Sequence, residues 1–427
     1  MKKIMAILMT VVLLSLTACS SQGKSETKKD EFTPRLDTQT TATLEIAGFM
    51  GNFEALDQIM NAFNEVYPNV TFTYDHNTAY MLADYLRNNE NIDIFMTSDQ
   101  NITQQYPVEF YVADKCLDLS KEDIDVSFIY PDAIQACTVD GQLLRLPIMM
   151  YAYGIVVNKT LLKNEGLSMP KNYDEFLTVL EALKEKGYTP LQGSQSHLYG
   201  ELMISMAMNI LSEDKTLVTA LRNGDEKAVT AMKPVFERLE TIIDNGYTDY
   251  ELNCTFPEDN YDGSIMAFYE GNIPFYVCNA ECVSGMKKRE SKSETYSASP
   301  FEYEFLFAPL GDNGVYAYTQ PWYGFSINKD SSEKELAVEF LRFMSNYETL
   351  DNMASMKGLP SVTVNGTDER YQGIIKVDNV QSQASYDGSI ANDIRDTFIQ
   401  VCNDFGAGVY ANADEAARAF ASRCAQN

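Results

Sequence analysis

Thr43-Leu44-Glu45-Ile46-Ala47-Gly48-Phe49 alternates apolar and polar residues, the period of a half-buried strand. Working outward, Leu56, Ile59, Met60 and Phe63 fall on one face of a helix that Asn52 can cap and Tyr67-Pro68 stops. Val70, Phe72 and Tyr74 then alternate with Thr71 and Thr73 as a second strand. A further helix is expected over roughly 79–87. Ile92-Asp93-Ile94-Phe95-Met96 reads as a third strand, ending in the polar loop Thr97-Ser98-Asp99-Gln100-Asn101. This β-α-β-α-β order predicts an α/β fold, a mostly parallel sheet flanked by helices. Ligands of open α/β sheets bind at the carboxyl ends of the strands. Phe49, Met50 and Asn52 end the first strand, and Ser98, Asp99 and Gln100 end the third, so all six are candidate ligand residues. Each group also reads as local structure, a hydrophobic staple and helix cap in one case, a solvated turn in the other.

Upstream lies a basic start, Lys2-Lys3, and an apolar run, Ile4 to Leu16. Crossing a bilayer as a helix needs about 20 apolar residues, so this run reads as a secretory signal. Its ending, Leu16-Thr17-Ala18-Cys19, resembles the bacterial lipobox, which implies a lipidated Cys19 and cleavage just before it. A chance cysteine behind an ordinary signal is the other reading; the polar stretch that follows at once argues against it. Residues 1–18 are thus expected as signal peptide and 19–41 as a lipidated tether. The body would then sit at the extracellular face of the cell membrane, where ATP and NADH are not supplied. Binding is favoured there over cofactor chemistry, and no cofactor is expected.

With 427 residues the chain is long for one core. Its formal charge of -28 becomes about -30 when Lys2 and Lys3 leave, which argues against nucleic acid as a partner. Eight cysteines are scattered along the chain; with Cys19 set aside, the remaining seven are expected to be mostly free, buried thiols. Cys278 and Cys282 have the spacing of a metal pair. His76 and His197 are the only histidines, however, and no second close pair exists, so no metal is expected.

Later helices are expected at Tyr173 to Lys186 with Asn172 as cap, at Leu198 to Leu211, and at Ala231 to Asn245. Ser332 and Glu335 have capping-box spacing ahead of Leu336, Phe340, Phe343 and Met344.

One stretch carries a resemblance. Gly141-Gln142-Leu143-Leu144-Arg145-Leu146-Pro147 runs through Tyr151-Ala152-Tyr153-Gly154 to Asn158-Lys159, and then to Pro170-Lys171-Asn172-Tyr173-Asp174-Glu175-Phe176. It resembles the central signature of the sugar-binding lipoproteins of bacterial ABC importers, the family that includes maltodextrin-binding protein. Leu144 and Val157 stand where the family has tyrosines, and Asn172-Tyr173 where it has Thr-Trp. Residues 91–98, 263–279, 322–328 and 356–360 resemble further family segments in the same order.

The resemblance implies a two-lobed, type II binding-protein fold with hinge crossings. One lobe would hold 42–147 plus 325–365, the other 148–323 plus 366–427. It implies a monomer that closes on a carbohydrate and is then recognised by ABC-transporter permease subunits, with no bond broken and no catalytic residue. Trp322, beside Tyr323 at a crossing, is the leading platform for a sugar face; a packed core indole is the other reading. Tyr151 and Tyr153 lie on the hinge strand, and one of the two is expected to face the cleft. The position of Tyr151 matches a ligand position in maltodextrin-binding protein. Asn279 and Glu281 follow a strand of the second lobe. Tyr199 begins a helix beside His197, which reads as a cap or a satisfied polar group rather than a ligand. A surface glycosidase and a binding protein for a polyamine or peptide remain as alternatives.

Overall fold

In the computed structural model the described residues are 32–48, 50, 53–76, 82–88, 92–98, 111–194, 197–256, 261–385, 390 and 392–426. The chain divides into two units, Met1–Thr33 and Pro34–Asn427, and the fold below is that of the second.

The first sheet has the strand order Val70–Asp75, Ala42–Ala47, Ile94–Ser98, Tyr323–Ile327, Leu146–Pro147. Its first three strands are parallel, as the β-α-β-α-β reading requires. The other two arrive from distant parts of the chain and pair antiparallel, so the sheet is mixed. Helix Glu54–Val66 buries Leu56, Ile59 and Phe63 against it. Phe63 stacks on Tyr67 at 4.6 Å and meets Phe340 of helix Lys334–Met344 edge-on at 5.2 Å.

That helix starts differently from the expected capping box. Glu333 is its cap residue and no side chain closes the cap. Ser331 instead accepts the Glu333 N–H (2.9 Å) and donates to Asp93 (2.5 Å). Asp93 is buried and needs donors, and it recruits the serine, together with the Glu45 N–H at 2.8 Å. The end of the expected tether is also docked. The Arg35 N–H donates to buried Glu339 (2.9 Å), which takes the Tyr67 hydroxyl (2.6 Å) and both forks of Arg342 (2.9 Å each).

The second sheet runs Val380–Ser385, Val315–Pro321, Met150–Asn158, Phe275–Asn279, Leu191–Gln192, with Tyr303–Leu306 also paired to Met150–Asn158. Every residue of Met150–Asn158 is buried, the pattern of a central strand covered on both faces. At Gly154 a Cβ would lie 2.1 Å from the Leu306 carbonyl oxygen, so this close strand approach admits only glycine. Helix Tyr173–Glu185 begins as expected, Asn172 Oδ1 accepting the Glu175 N–H at 3.0 Å. Helix Glu226–Asp244 starts earlier than expected because its first turn is polar. Six cysteines of the described residues are buried and Cys254 is half-buried; none of these seven is in a disulfide. No helix among the described residues is long and apolar enough to cross a membrane.

The two sheets are joined where the chain passes between them. Ile148-Met149 links Leu146–Pro147 to Met150–Asn158, and Trp322 links Val315–Pro321 to Tyr323–Ile327. The passages bond to each other: Trp322 N–H to Met149 carbonyl (2.9 Å), Ile148 N–H to Tyr323 carbonyl (3.1 Å), Met150 N–H to Pro360 carbonyl (2.8 Å). Fully buried Arg145 donates to the Thr97 carbonyl at 3.1 Å and ties the end of the third strand to this crossing.

Candidate ligand site

The crossing fixes the side chains beside it. Sheet register sets Tyr323 opposite Ser98, Tyr151 opposite Gln320, and Tyr153 opposite Asn279. Tyr151 and Tyr153 are two residues apart, so strand alternation turns both to one face, and their rings lie 5.1 Å apart. The expectation that only one faces the site is corrected by that period. Trp322 is half-buried, 5.7 Å from Tyr151 and 4.3 Å from Tyr323. A continuous aromatic wall, Tyr323-Trp322-Tyr151-Tyr153, therefore spans the crossing, with Ser98 at one end and Asn279 at the other.

Asn279 is buried and its amide is already engaged. Its Oδ1 accepts the Cys282 N–H (3.1 Å) as cap of helix Ala280–Glu290. Its Nδ2 donates to Glu201 (2.5 Å) and to the Tyr261 hydroxyl (2.8 Å). Glu201 also meets His197 Nδ1 at 3.2 Å. Glu281, in the first turn of the helix that Asn279 caps, is exposed.

These groups share one electrostatic neighbourhood. Burial pushes the Tyr151 phenol well up, and the neighbouring Tyr153, Glu201, Tyr261 and Glu281 add to it. Tyr153 is pushed up to about 12, chiefly by burial, against the opposing charge of Arg395. Both phenols are thus uncharged at neutral pH, able to donate and to accept. Loss of hydration raises the Glu281 carboxyl; Lys357 opposes this and Glu201 adds to it.

The remaining expected residues are placed as follows. Met50 is buried, its carbonyl accepting the Tyr74 hydroxyl at 3.1 Å. Tyr199 is packed inside the second half of the molecule; a Cβ on Gly406 would lie 2.2 Å from its ring. It presents no surface to the wall. Phe49, Asn52, Asp99, Gln100 and Cys19 lie outside the described residues. His197 adjoins helix Leu198–Glu213 without a side-chain cap bond, and instead contacts Glu201.

Four residues beside the wall escape sequence reading. Glu201 stands four residues after His197, a spacing that brings two side chains to one helix face and was open to notice. Tyr261, Gln320 and Arg395 carry no local signal. Arg395, on helix Asn392–Gly406, contacts Gln320 at 3.4 Å and Asp396 at 3.3 Å.

Two mixed α/β sheets that exchange strands through bonded crossings, with a ring-lined wall at the junction, make up the two-lobed architecture of solute-binding proteins. Residues 48–349 match the family model of the bacterial extracellular solute-binding proteins, and the chain belongs to that family. The multiple sugar-binding protein of Streptococcus mutans is 23% identical over 237 residues, an alignment spanning 54% of each chain. The chain thus spans about half the length of that curated relative. A probable secreted solute-binding lipoprotein of Streptomyces coelicolor superposes with a TM-score of 0.70 at 16% identity, over 90% of this chain and 98% of that one. A sugar transporter of Bacillus licheniformis, solved with stachyose, gives 0.62 at 17% identity, over 90% and 99%.

Proposed function

We propose that the protein captures a carbohydrate between its two lobes and delivers it to the permease of an ABC importer, acting as a monomer and without chemistry on the ligand. The aromatic wall at the crossing carries this reading. A pyranose has an apolar C–H face that rests on flat rings, and hydroxyls that need partners able to donate and accept. Tyr151, Tyr153, Trp322 and Tyr323 supply both, and Ser98, Glu281, Met50, Phe49, Asn52, Asp99 and Gln100 are the further groups assigned to it. Asn279 serves by holding Glu201 and Tyr261 in place. Stachyose in the Bacillus licheniformis relative and the name of the Streptococcus mutans relative support a saccharide. The lobes are taken as 42–147 plus 325–365 and 148–323 plus 366–427, closing about the crossing. Cys19 is the proposed lipid anchor at the outer face of the membrane, after removal of residues 1–18.

A thermal-shift panel of mono- and oligosaccharides, polyamines and peptides, followed by calorimetry on the hits, tests the reading. Only a ligand of the native state raises the transition. Saccharide hits support it; stabilisation by polyamine or peptide alone, or release of shortened sugars during incubation, refutes it.

A further inference from the structure

Helix Leu198–Glu213 opens with a carboxylate that its surroundings leave half used. Glu201 is only 3% exposed. Its Oε1 takes the Asn279 amide and His197 Nδ1, the latter at 3.2 Å. Its Oε2 is buried and has no hydrogen-bond partner among the described residues. His197 stands within ion-pair distance of Oε1 and also acts on Glu281 as a positive charge, so one cationic side chain already faces the two carboxylates.

A second carboxylate, Glu281, stands in the first turn of helix Ala280–Glu290. Among the described residues no lysine or arginine lies within ion-pair distance of either group. Lys357 acts on Glu281 only from farther away. Asn279, opposite Tyr153 in the sheet, bonds Glu201 and caps the helix whose first turn carries Glu281, so both carboxylates adjoin the tyrosine end of the wall, where they also act on the phenols of Tyr151 and Tyr153. Two acceptor-only groups and a set of ring faces therefore border the same part of the site.

An ammonium group fits this combination. It has three donors and no acceptor, and its charge is attracted to aromatic faces. A buried carboxylate oxygen without a donor is costly, and a charged partner repairs that cost more fully than a hydroxyl. A neutral hydroxyl leaves the excess of carboxylate over cation in place. An N-acetyl carbonyl brings an acceptor to acceptors, and an acidic sugar adds a like charge.

Resting on the sugar-binding reading above, we infer that the ligand is a saccharide carrying a free, protonated amino group, received by Glu201 and Glu281 beside the tyrosine wall.

The test is calorimetry at about pH 6 and low salt with three trisaccharides: the glucosamine trimer, the N-acetylglucosamine trimer and raffinose. The glucosamine trimer binds at least tenfold more tightly than the acetylated trimer, and the preference shrinks as salt rises. In Glu281→Gln the ratio of the two dissociation constants falls toward one; Glu201→Gln does the same. Glu281 is at the surface, so its variant decides the matter even where Glu201→Gln fails to fold. Equal or tighter binding of the acetylated trimer or raffinose overturns the inference while sugar capture stands. Binding of none of the three also overturns the inference, and sugar capture is then decided by the saccharide panel above.

Discussion

Replacing Trp322 with alanine tests the wall where its consequence is largest. The indole is half-buried, and Tyr323, 4.3 Å away, covers part of one side. About a quarter of the ~200 Å² that an aromatic side chain can bury is then free for a ligand, roughly 50 Å². A pyranose face resting on it hides a similar area of its own, so ~100 Å² at ~25 cal/mol per Å² gives about 2.5 kcal/mol. At ~1.4 kcal/mol per tenfold this is roughly a 60-fold weaker dissociation constant for Trp322→Ala. Trp322→Phe keeps a smaller ring and should recover part of the loss.

Calorimetry with the best saccharide of the panel measures the effect, and far-UV circular dichroism with urea unfolding checks that both variants are folded. Trp322 is the only tryptophan, so emission of the unaltered protein should also shift on titration with that sugar. A folded Trp322→Ala protein with unchanged affinity, together with unresponsive emission, would refute the stacking role and leave the indole as packing.

Three further outcomes follow from the contacts. Burial pushes the Glu339 carboxyl up, but Arg342, the Tyr67 hydroxyl and the Arg35 N–H outweigh it and hold the group below its ordinary range. A depressed carboxyl stabilises the fold above the free value of about 4.3, and that stability is lost as pH falls further, through the lower folded value. Glu339→Gln should therefore cost about 3 kcal/mol at neutral pH and flatten the acid limb of a urea-midpoint profile below about pH 4; a profile parallel to the parent's contradicts this. Gly406→Ala would push a methyl into the Tyr199 ring and should lower stability by about 1–3 kcal/mol in urea unfolding, whereas Gly408→Ala, with open space for a Cβ, tests strain at its positive φ of 77° instead. Asn279→Ala removes a helix cap, about 1 kcal/mol, and unties Glu201 and Tyr261, so saccharide affinity should fall by more than the stability loss accounts for; unchanged calorimetry would separate the cap from the site.

Local pattern exposed much of this architecture. The alternating run at residue 43, the helix face of Leu56, Ile59 and Phe63, and the Asn172 cap are short-range features, and each reappears in the folded chain. What short range cannot carry is the return of Tyr323–Ile327 into the first sheet, which makes that sheet mixed. The Ser332-Glu335 spacing misled because a distant buried carboxylate, Asp93, claimed Ser331 and reset the helix start. Tyr199 misled because helix Leu198–Glu213 is buried on nearly every side, so periodicity assigns it no facing. The rings of the wall were legible as aromatics on strands flanking a crossing. Glu201, Tyr261 and Arg395 reach it only through register and helix packing, across separations that no sequence window spans.

The mutual bonding of the crossing passages bears on how such a molecule could move. Backbone groups at the junction already satisfy one another, so a small rotation there spreads over several torsions and strands no N–H or C=O. Little of the grip on a guest is then consumed in breaking the pivot. The pivot also carries the lone indole, so one natural fluorophore sits where an opening angle would register first, whatever molecule is held.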